Sequence, residues 1–341
     1  MPRRPTLAGT ARTAVIVLAA LVATSCGASH TQARGYLVYA KHIDRADEGL
    51  WIARSDGSRP RLLVRHGFFG AVSPDGRWVA YNTCPQPNGR CGTANRPYAL
   101  FVIPTSGGKP RLLADAMYPS WSPRSDRIAA LRNGRLVSLT LDGDLRPLAR
   151  NAGISGWSFS PDGKWIVYAE AQHTTCRSNL VIVPAGGGDE RVLTRGRDIF
   201  PVWGKHWIAF SRYPASCAYR RAIWRVRPDG SAQQQLTAPP PASGAVGEYY
   251  GIDAVKWGPN DGVLLAGFAT EWGDEAVRVD PATGTYRKLS LYAVDLSRDG
   301  RYALVEDGGV EPPHTIAAVD LADGRRTVLV HGDVYLASWN R

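Results

Sequence analysis

Apolar residues recur along this chain at every second position of short runs, and the runs are broken by glycine, proline and aspartate. "W-V-A-Y-N" at Trp78, "W-I-V-Y-A" at Trp165, "W-I-A-F-S" at Trp207 and "Y-A-L-V-E" at Tyr302 are four of them. A period of two carried by β-branched and aromatic side chains predicts strands rather than helices. A turn precedes each run: "S-P-D-G-R" from Ser73, "S-P-R-S-D-R" from Ser122, "S-P-D-G-K" from Ser160, "G-P-N-D-G" from Gly258 and "S-R-D-G-R" from Ser297, worn to "G-K-H" after Trp203. Proline fixes its own φ and holds the preceding residue extended, aspartate bonds its own backbone, and glycine accepts positive φ. Together they end one strand and reverse the chain into the next.

An aromatic or apolar residue leads into the turn at Val72, Trp121, Phe159, Trp203, Trp257, Leu296 and Trp339, at intervals of 49, 38, 44, 54, 39 and 43 residues. A period near 44 matches one four-stranded propeller blade. A third strand follows in each unit and ends in a Gly-rich turn, as in "L-F-V-I-P-T-S-G-G" and "I-W-R-V-R-P-D-G"; a fourth, such as "P-R-L-L-V" or "R-K-L-S", has the polar outer side of an edge strand. The expected fold is therefore all-β: a seven-bladed propeller of four-stranded antiparallel blades. "R-G-Y-L-V-Y-A" at Arg34 is a second strand with no first strand before it, and "V-Y-L-A-S-W" at Val334 is a first strand with nothing after it. The N-terminal strands and the C-terminal strand are expected to complete one blade and close the ring.

The chain opens differently. Arg3, Arg4 and Arg12 precede an apolar run from Ala14 to Ala23, too short for a stable membrane span and typical of an export signal. Thr24 and Ser25 before Cys26 and Gly27 resemble the lipobox of bacterial lipoproteins, which implies a signal peptide over 1–25, lipidation of Cys26, a short tether over 26–33 and a propeller over 34–341. The protein is then expected at the cell membrane, lipid-anchored on the extracytoplasmic side. Four cysteines remain after Cys26, and in an oxidising compartment they support two disulfides. The sequence alone does not fix which cysteines pair; Cys84 with Cys91, which share a loop, and Cys176 with Cys217, which fall in equivalent loops of neighbouring blades, are geometrically compatible pairs. The formal charge is +11; without the three leader arginines it is +8, spread with no run of five basic residues, so nucleic acid is not an expected partner.

The turn motifs resemble the WD40-like repeats of the P-D-G type, found in TolB and in the propellers of dipeptidyl peptidase IV and tricorn proteases, over residues 34 to 341. Such propellers serve as binding scaffolds, as gates of enzymes and in a few cases as lyases. The resemblance implies that the loops between second and third strands, and those leading into the next blade, share one face, the top. Here those loops are long, and long loops on a rigid ring are where binding resides.

Candidate binding residues on that face are Glu248, Tyr249 and Tyr250, which follow the insertion "A-P-P-P-A-S-G"; Trp272 in "T-E-W-G-D-E"; and His66, His173, His314 and His331. The aromatic members offer a platform for a peptide or a sugar. The histidines, with His42 and with Asp44, Asp115, Asp333 or Glu248 as oxygen donors, are the raw material of a metal site, but no H-x-x-x-H spacing supports one, and no metal or cofactor is expected. Ten of the eleven tryptophans, Trp165 and Trp157 among them, fall on repeat strands and are expected in the core. No G-x-S-x-G, H-E-x-x-H, Walker or G-x-G-x-x-G pattern is present. Glu170, Glu271 and Glu306 near strand ends are the acids available for acid-base work. The expected function is an exported, lipid-anchored scaffold that binds an envelope protein or peptide; the alternative is a carbohydrate-binding protein or metal-dependent lyase using the long-loop face.

Overall fold

Seven interfaces of apolar side chains, one between each pair of neighbouring blades, take the place of a central core. The computed structural model describes residues 35–41, 48–84, 98–149, 154–171, 177–216, 220–240, 243–244, 247–270, 273–307 and 314–340. They form seven antiparallel sheets. Blade 1 is Gly67–Val72, Trp78–Thr83, Ala99–Pro104 and Arg111–Ala114, and blade 2 is Met117–Trp121, Arg127–Arg132, Arg135–Thr140 and Leu145–Pro147. Blade 3 is Ile154–Phe159, Trp165–Ala171, Ser178–Pro184 and Arg191–Gly196; blade 4 is Asp198–Trp203, Ile208–Arg212, Ala222–Val226 and Gln234–Gln235. Blade 5 is Gly247–Trp257, Leu264–Thr270, Gly273–Val279 and Tyr286–Leu291; blade 6 is Ala293–Leu296, Tyr302–Asp307, Thr315–Asp320 and Arg326–His331. Blade 7 is Val334–Trp339, Tyr36–Lys41, Gly49–Arg54 and Arg61–Arg65, so the C-terminal strand does pair with the N-terminal ones.

The second strands are buried on both sides. In blade 1, Val79 and Tyr81 pack with Val38, Leu50 and Ile52 of blade 7, while Ala80 packs with Trp121, Ile128 and Ala130 of blade 2. A strand covered on both faces needs apolar residues at every position, which is why Val79, Ala80 and Tyr81 are all buried. Not every repeat tryptophan is core: Trp165, expected there, is 42% exposed at the start of its strand. Blade 5 also exceeds the expected four strands. Ser243–Gly244 pairs with the head of an eleven-residue first strand, and that strand is stitched to blade 4 by a parallel bridge between Arg221 and Gly251.

The P-D-G turn works as its residue types require. The Ser73 hydroxyl donates to Asp75 (2.6 Å) and accepts from the Trp78 amide (2.9 Å), while Asp75 accepts from the Arg77 amide (3.1 Å). Ser160 with Asp162 and Ser297 with Asp299 repeat the arrangement. The Ser160 hydroxyl holds the Asp162 carboxyl below the usual carboxylate range. Blade 4 lacks these residues, and its worn turn is capped from the next blade. Asp261 accepts from the amides of Lys205 (2.6 Å), His206 (2.6 Å) and Trp207 (3.1 Å), and a Cβ at Gly204 would fall 2.1 Å from its Oδ1, so only glycine fits there.

Part of the arginine excess has a structural use on this turn face. Arg61, Arg127, Arg191, Arg225 and Arg287 each donate to a backbone carbonyl of the following blade, at Thr105, Ala185, Pro228, Pro281 and Leu321. The five clamps join blades 7 to 1, 2 to 3, 3 to 4, 4 to 5 and 5 to 6.

At the closing blade, Asn340 joins three segments. Its Oδ1 accepts from the Tyr36 amide (2.7 Å) and its Nδ2 donates to the Ser73 carbonyl (3.1 Å), tying both chain ends to blade 1. Asn340→Ala removes both bonds at a part-buried site and is expected to lower stability by about 1–3 kcal/mol in urea unfolding. A loss under about 0.5 kcal/mol, the scale of an ordinary surface substitution, would show that the clasp is unimportant.

Candidate functional site

The first strands of all seven blades surround a cavity on the ring axis of about 1250 Å³. Its wall includes Phe69, Tyr118, Trp157, Trp203, Lys256, Tyr292, Asp295 and Glu306, and at the turn face Pro74, Pro123, Pro161, Lys205 and Arg298. The opposite end, where the first strands begin, is the top.

Each of the first four blades bulges here, with its strand register shifting between Phe68 and Ala71, Met117 and Ser120, Ile154 and Trp157, and Ile199 and Val202. One residue per bulge has positive φ: Phe69 (49°), Tyr118 (58°), Gly156 (90°) and Phe200 (51°). All four stand four residues before the turn residues Ser73, Ser122, Ser160 and Gly204. Bulky side chains at positive φ cost about 1–2 kcal/mol each. Glycine takes the position freely in blade 3, so the backbone does not ask for an aromatic. Burial does not explain the choice either, since Tyr118 and Phe200 are each 41% exposed.

The aromatics form an arc. Tyr98 meets Phe68 edge-on at 5.3 Å, Phe68 meets Phe69 at 5.2 Å, and Phe69 meets Tyr118 at 4.8 Å. Phe200 lies against the bare backbone of Gly156, whose Cβ position is 3.2 Å from its ring. The arc is held from behind: buried Asn82 donates to the Ala116 carbonyl (2.7 Å) and accepts from the Tyr118 amide (3.0 Å), which fixes the blade 2 bulge. Across the cavity, Lys256 pairs with Asp295 at 2.5 Å. Burial, with Glu48 and Asp333 nearby, pushes the Tyr335 hydroxyl of the closing blade up to about 12.

Among the sequence candidates, His173, Trp272, Glu271, His42, Asp44, Cys26, Cys91, Cys176 and Cys217 lie outside the described residues, and nothing is described of the side chains of Glu248 and Tyr249. Tyr250 is half-buried, with its carbonyl accepting from the amides of Arg220 (2.6 Å) and Arg221 (3.3 Å). The hairpin of blade 5 pairs as far as Thr270 with Gly273. His66 has positive φ and sits 3.4 Å from Glu48. His331 pairs with Thr315, next to His314, in blade 6. The structure thus sets His331 opposite Thr315, the residue after His314, on blade 6 and places His66 just before the first strand of blade 1.

Among the described residues no three histidine, cysteine, aspartate or glutamate side chains are grouped to hold a metal ion. Asp115, a candidate donor, is instead bound by Arg132 at 2.7 Å. Glu306 accepts from the Ala337 amide (2.9 Å) and occupies the same repeat position as Asn82, so this candidate acid ties blade 6 to blade 7. Phe69, Tyr118 and Phe200 carry no motif of their own; their only sequence signal is an aromatic four residues before the turn.

No known family model matches the chain, and no curated protein matches it in sequence. Solved structures match it in fold. TolB from Acinetobacter baumannii is similar at a TM-score of 0.55 and 13% identity, over 91% of this chain and 67% of that one. An oligogalacturonate lyase in complex with manganese is similar at 0.55 and 14%, over 85% and 83%. A puromycin-hydrolyzing peptidase of Mycobacterium tuberculosis is similar at 0.60 and 16%, over 88% of this chain and 53% of that one, so the chain spans about half of the peptidase. The chain is a seven-bladed propeller, and its fold is similar to TolB and to prolyl endopeptidases.

The geometry of the arc gives an expected outcome. A Cβ on Gly156 would lie 3.1 Å from the Phe200 Cα at a φ of 90°. Gly156→Ala should destabilise the chain by about 1–3 kcal/mol in urea unfolding and alter Phe200 exposure. Unchanged stability would mean that the ring and the bulge are not in register.

Proposed function

We propose that the chain is an exported, lipid-anchored scaffold of the bacterial envelope that binds a protein or peptide partner at the top of its axial cavity. The observation that carries this is the arc of Phe69, Tyr118 and Phe200, kept at positive φ where glycine is easier and left part-exposed at the mouth. Backbone strain held without compensating burial points to a contact made outside the chain. Aromatic side chains are enriched where proteins bind one another, because they bury large areas with few rotatable bonds.

The edge-on packing of the arc favours a partner's side chain over a sugar ring, which stacks on a flat exposed face. The fold shared with TolB supports a binding scaffold, and the fold shared with the lyase keeps the carbohydrate reading as the rival. Anchoring through Cys26 follows from the leader sequence, and no helix of the described residues is long and apolar enough to cross a membrane. Cys84 is disulfide-bonded, and the proposal assigns it Cys91 as partner, with Cys176 and Cys217 as the second pair.

A benzophenone amino acid placed at Tyr118 or Phe200 in cells should give an adduct to one and the same polypeptide, identified by mass spectrometry. Placement at Arg146, exposed on the outer strand of blade 2, should not. Adducts from Arg146 alone, or none from the two arc positions, would contradict the reading.

A further inference from the structure

We propose that the axial cavity takes a carboxylate of the bound partner onto Lys256, one ring of side chains below the aromatic arc. The inference rests on the peptide-binding reading above and names the chemistry that the inserted segment carries.

Each first strand gives the axis one residue directly before the residue that leads into its turn: Ala71, Ser120, Ser158, Val202, Lys256, Asp295 and Ser338, all on the cavity wall. Only Lys256 and Asp295 are charged, and the backbone singles them out as well. At the bulges of blades 1 to 4 two residues oppose one, whereas in blades 5 and 6 a single extra residue, Val255 or Val294, directly precedes Lys256 or Asp295. Bulges of this kind re-aim a neighbouring side chain.

The charges on the wall favour an anion at this ring. Five charged side chains line the cavity: Lys205, Lys256 and Arg298 against Asp295 and Glu306. Lys205 and Arg298 stand at the turn-face mouth, and Lys205 donates to Asn260 (2.8 Å). Both acids are engaged by backbone. Glu306 accepts from the Ala337 amide, and the Asp295 Oδ1 accepts from the Leu296 amide (2.8 Å) as well as from Lys256 (2.5 Å). Asp295 is 15% exposed against 45% for Lys256. An ammonium carries three protons and Asp295 takes one, so the pair turns its cationic end to the cavity. Ser120 and Ser338 bring hydroxyls to the same ring. Away from bulk water, such a cation holds an anion more strongly than it would at an open surface.

The arc decides what accompanies the carboxylate. Phe69, Tyr118 and Phe200 stand two residues before Ala71, Ser120 and Val202, about 7 Å up the wall. An extended chain covers that distance in about two residues. A carboxylate on Lys256 therefore places a side chain one or two residues before it among the rings, where an aromatic or aliphatic group is favoured. At about 1250 Å³ the cavity also exceeds the roughly 300–1,000 Å³ of a small-molecule pocket, which suits a chain segment. A terminal carboxylate and an acidic side chain share this chemistry.

The test sets the full mature chain against an array of ten-residue peptides of varied sequence, printed once with a free C-terminal carboxylate and once amidated. Bound peptides should carry an aromatic or aliphatic residue one or two places before a carboxylate. Neutralising that carboxylate, by amidation or by replacing aspartate with asparagine or glutamate with glutamine, should weaken binding at least about tenfold in fluorescence anisotropy. Sensitivity to amidation marks a chain end and sensitivity to the side-chain change marks an acidic residue; each supports the proposal. The double variant Lys256→Gln, Asp295→Asn removes the pair without leaving one charge alone, and it should bind the acid and neutral peptides equally. No preference for the carboxylate form in the parent chain, or a preference that the double variant keeps, would overturn the proposal. So would binding of an oligogalacturonate through Lys256 with no peptide bound, which gives the site to the carbohydrate rival. Crosslinking separates the two readings. Adducts at Tyr118 and Phe200 that persist undiminished in the double variant sink this inference alone, whereas their absence from the parent chain sinks the reading above and leaves the array to decide the carboxylate site.

Discussion

Burial of both faces of every blade is the condition on which this structure rests. Val79 and Tyr81 face one neighbour and Ala80 the other, and the same division holds at all seven interfaces between the described blades. A single four-stranded sheet with two apolar faces has no stable existence in water, so the ring must close to fold. Closure is made by Leu37 opposite Trp339 and Val38 opposite Ser338, with Asn340 bonding on to blade 1. The arginine clamps join the rims of the blades that the apolar side chains hold together.

A ring held at its interfaces leaves its axis free. The first strands contribute one face to an interface and turn their inner edge toward the cavity, where, among the described residues, only the blade 5 strand has a further partner strand, the two-residue Ser243–Gly244. Bulges are tolerated there because the outer ladder continues beyond them. Ties between blades, such as Asn82 to the Tyr118 amide and Glu306 to the Ala337 amide, then fix the bulges in place. The same constraint that empties the axis thus positions the aromatic arc.

The fold was legible because the turn is local chemistry. Ser73, Asp75 and Gly76 complete their bonds within six residues, so the sequence displays the turn six times, intact or worn. What stayed hidden is non-local. The worn turn at Gly204 is rescued by Asp261, more than fifty residues on, and no spacing rule connects them. Trp165 has the same repeat position as Trp78 and Trp207, yet it is exposed while Arg225 and Arg227 cover Trp207 from outside its own strand. Tyr118 and Phe200 look like ordinary strand aromatics until the sign of φ is known. The sequence candidates Trp272 and His173 lie outside the described residues.

The central claim is that the aromatics at the mouth are kept for a partner and against stability, and one paired measurement decides it. Tyr118→Gly with Phe200→Gly should leave the melting temperature unchanged or raised, because glycine removes the strain at positive φ, while binding of the partner identified by crosslinking falls at least about tenfold. Lower stability with binding retained would show that the two rings serve the fold alone, and would contradict the account.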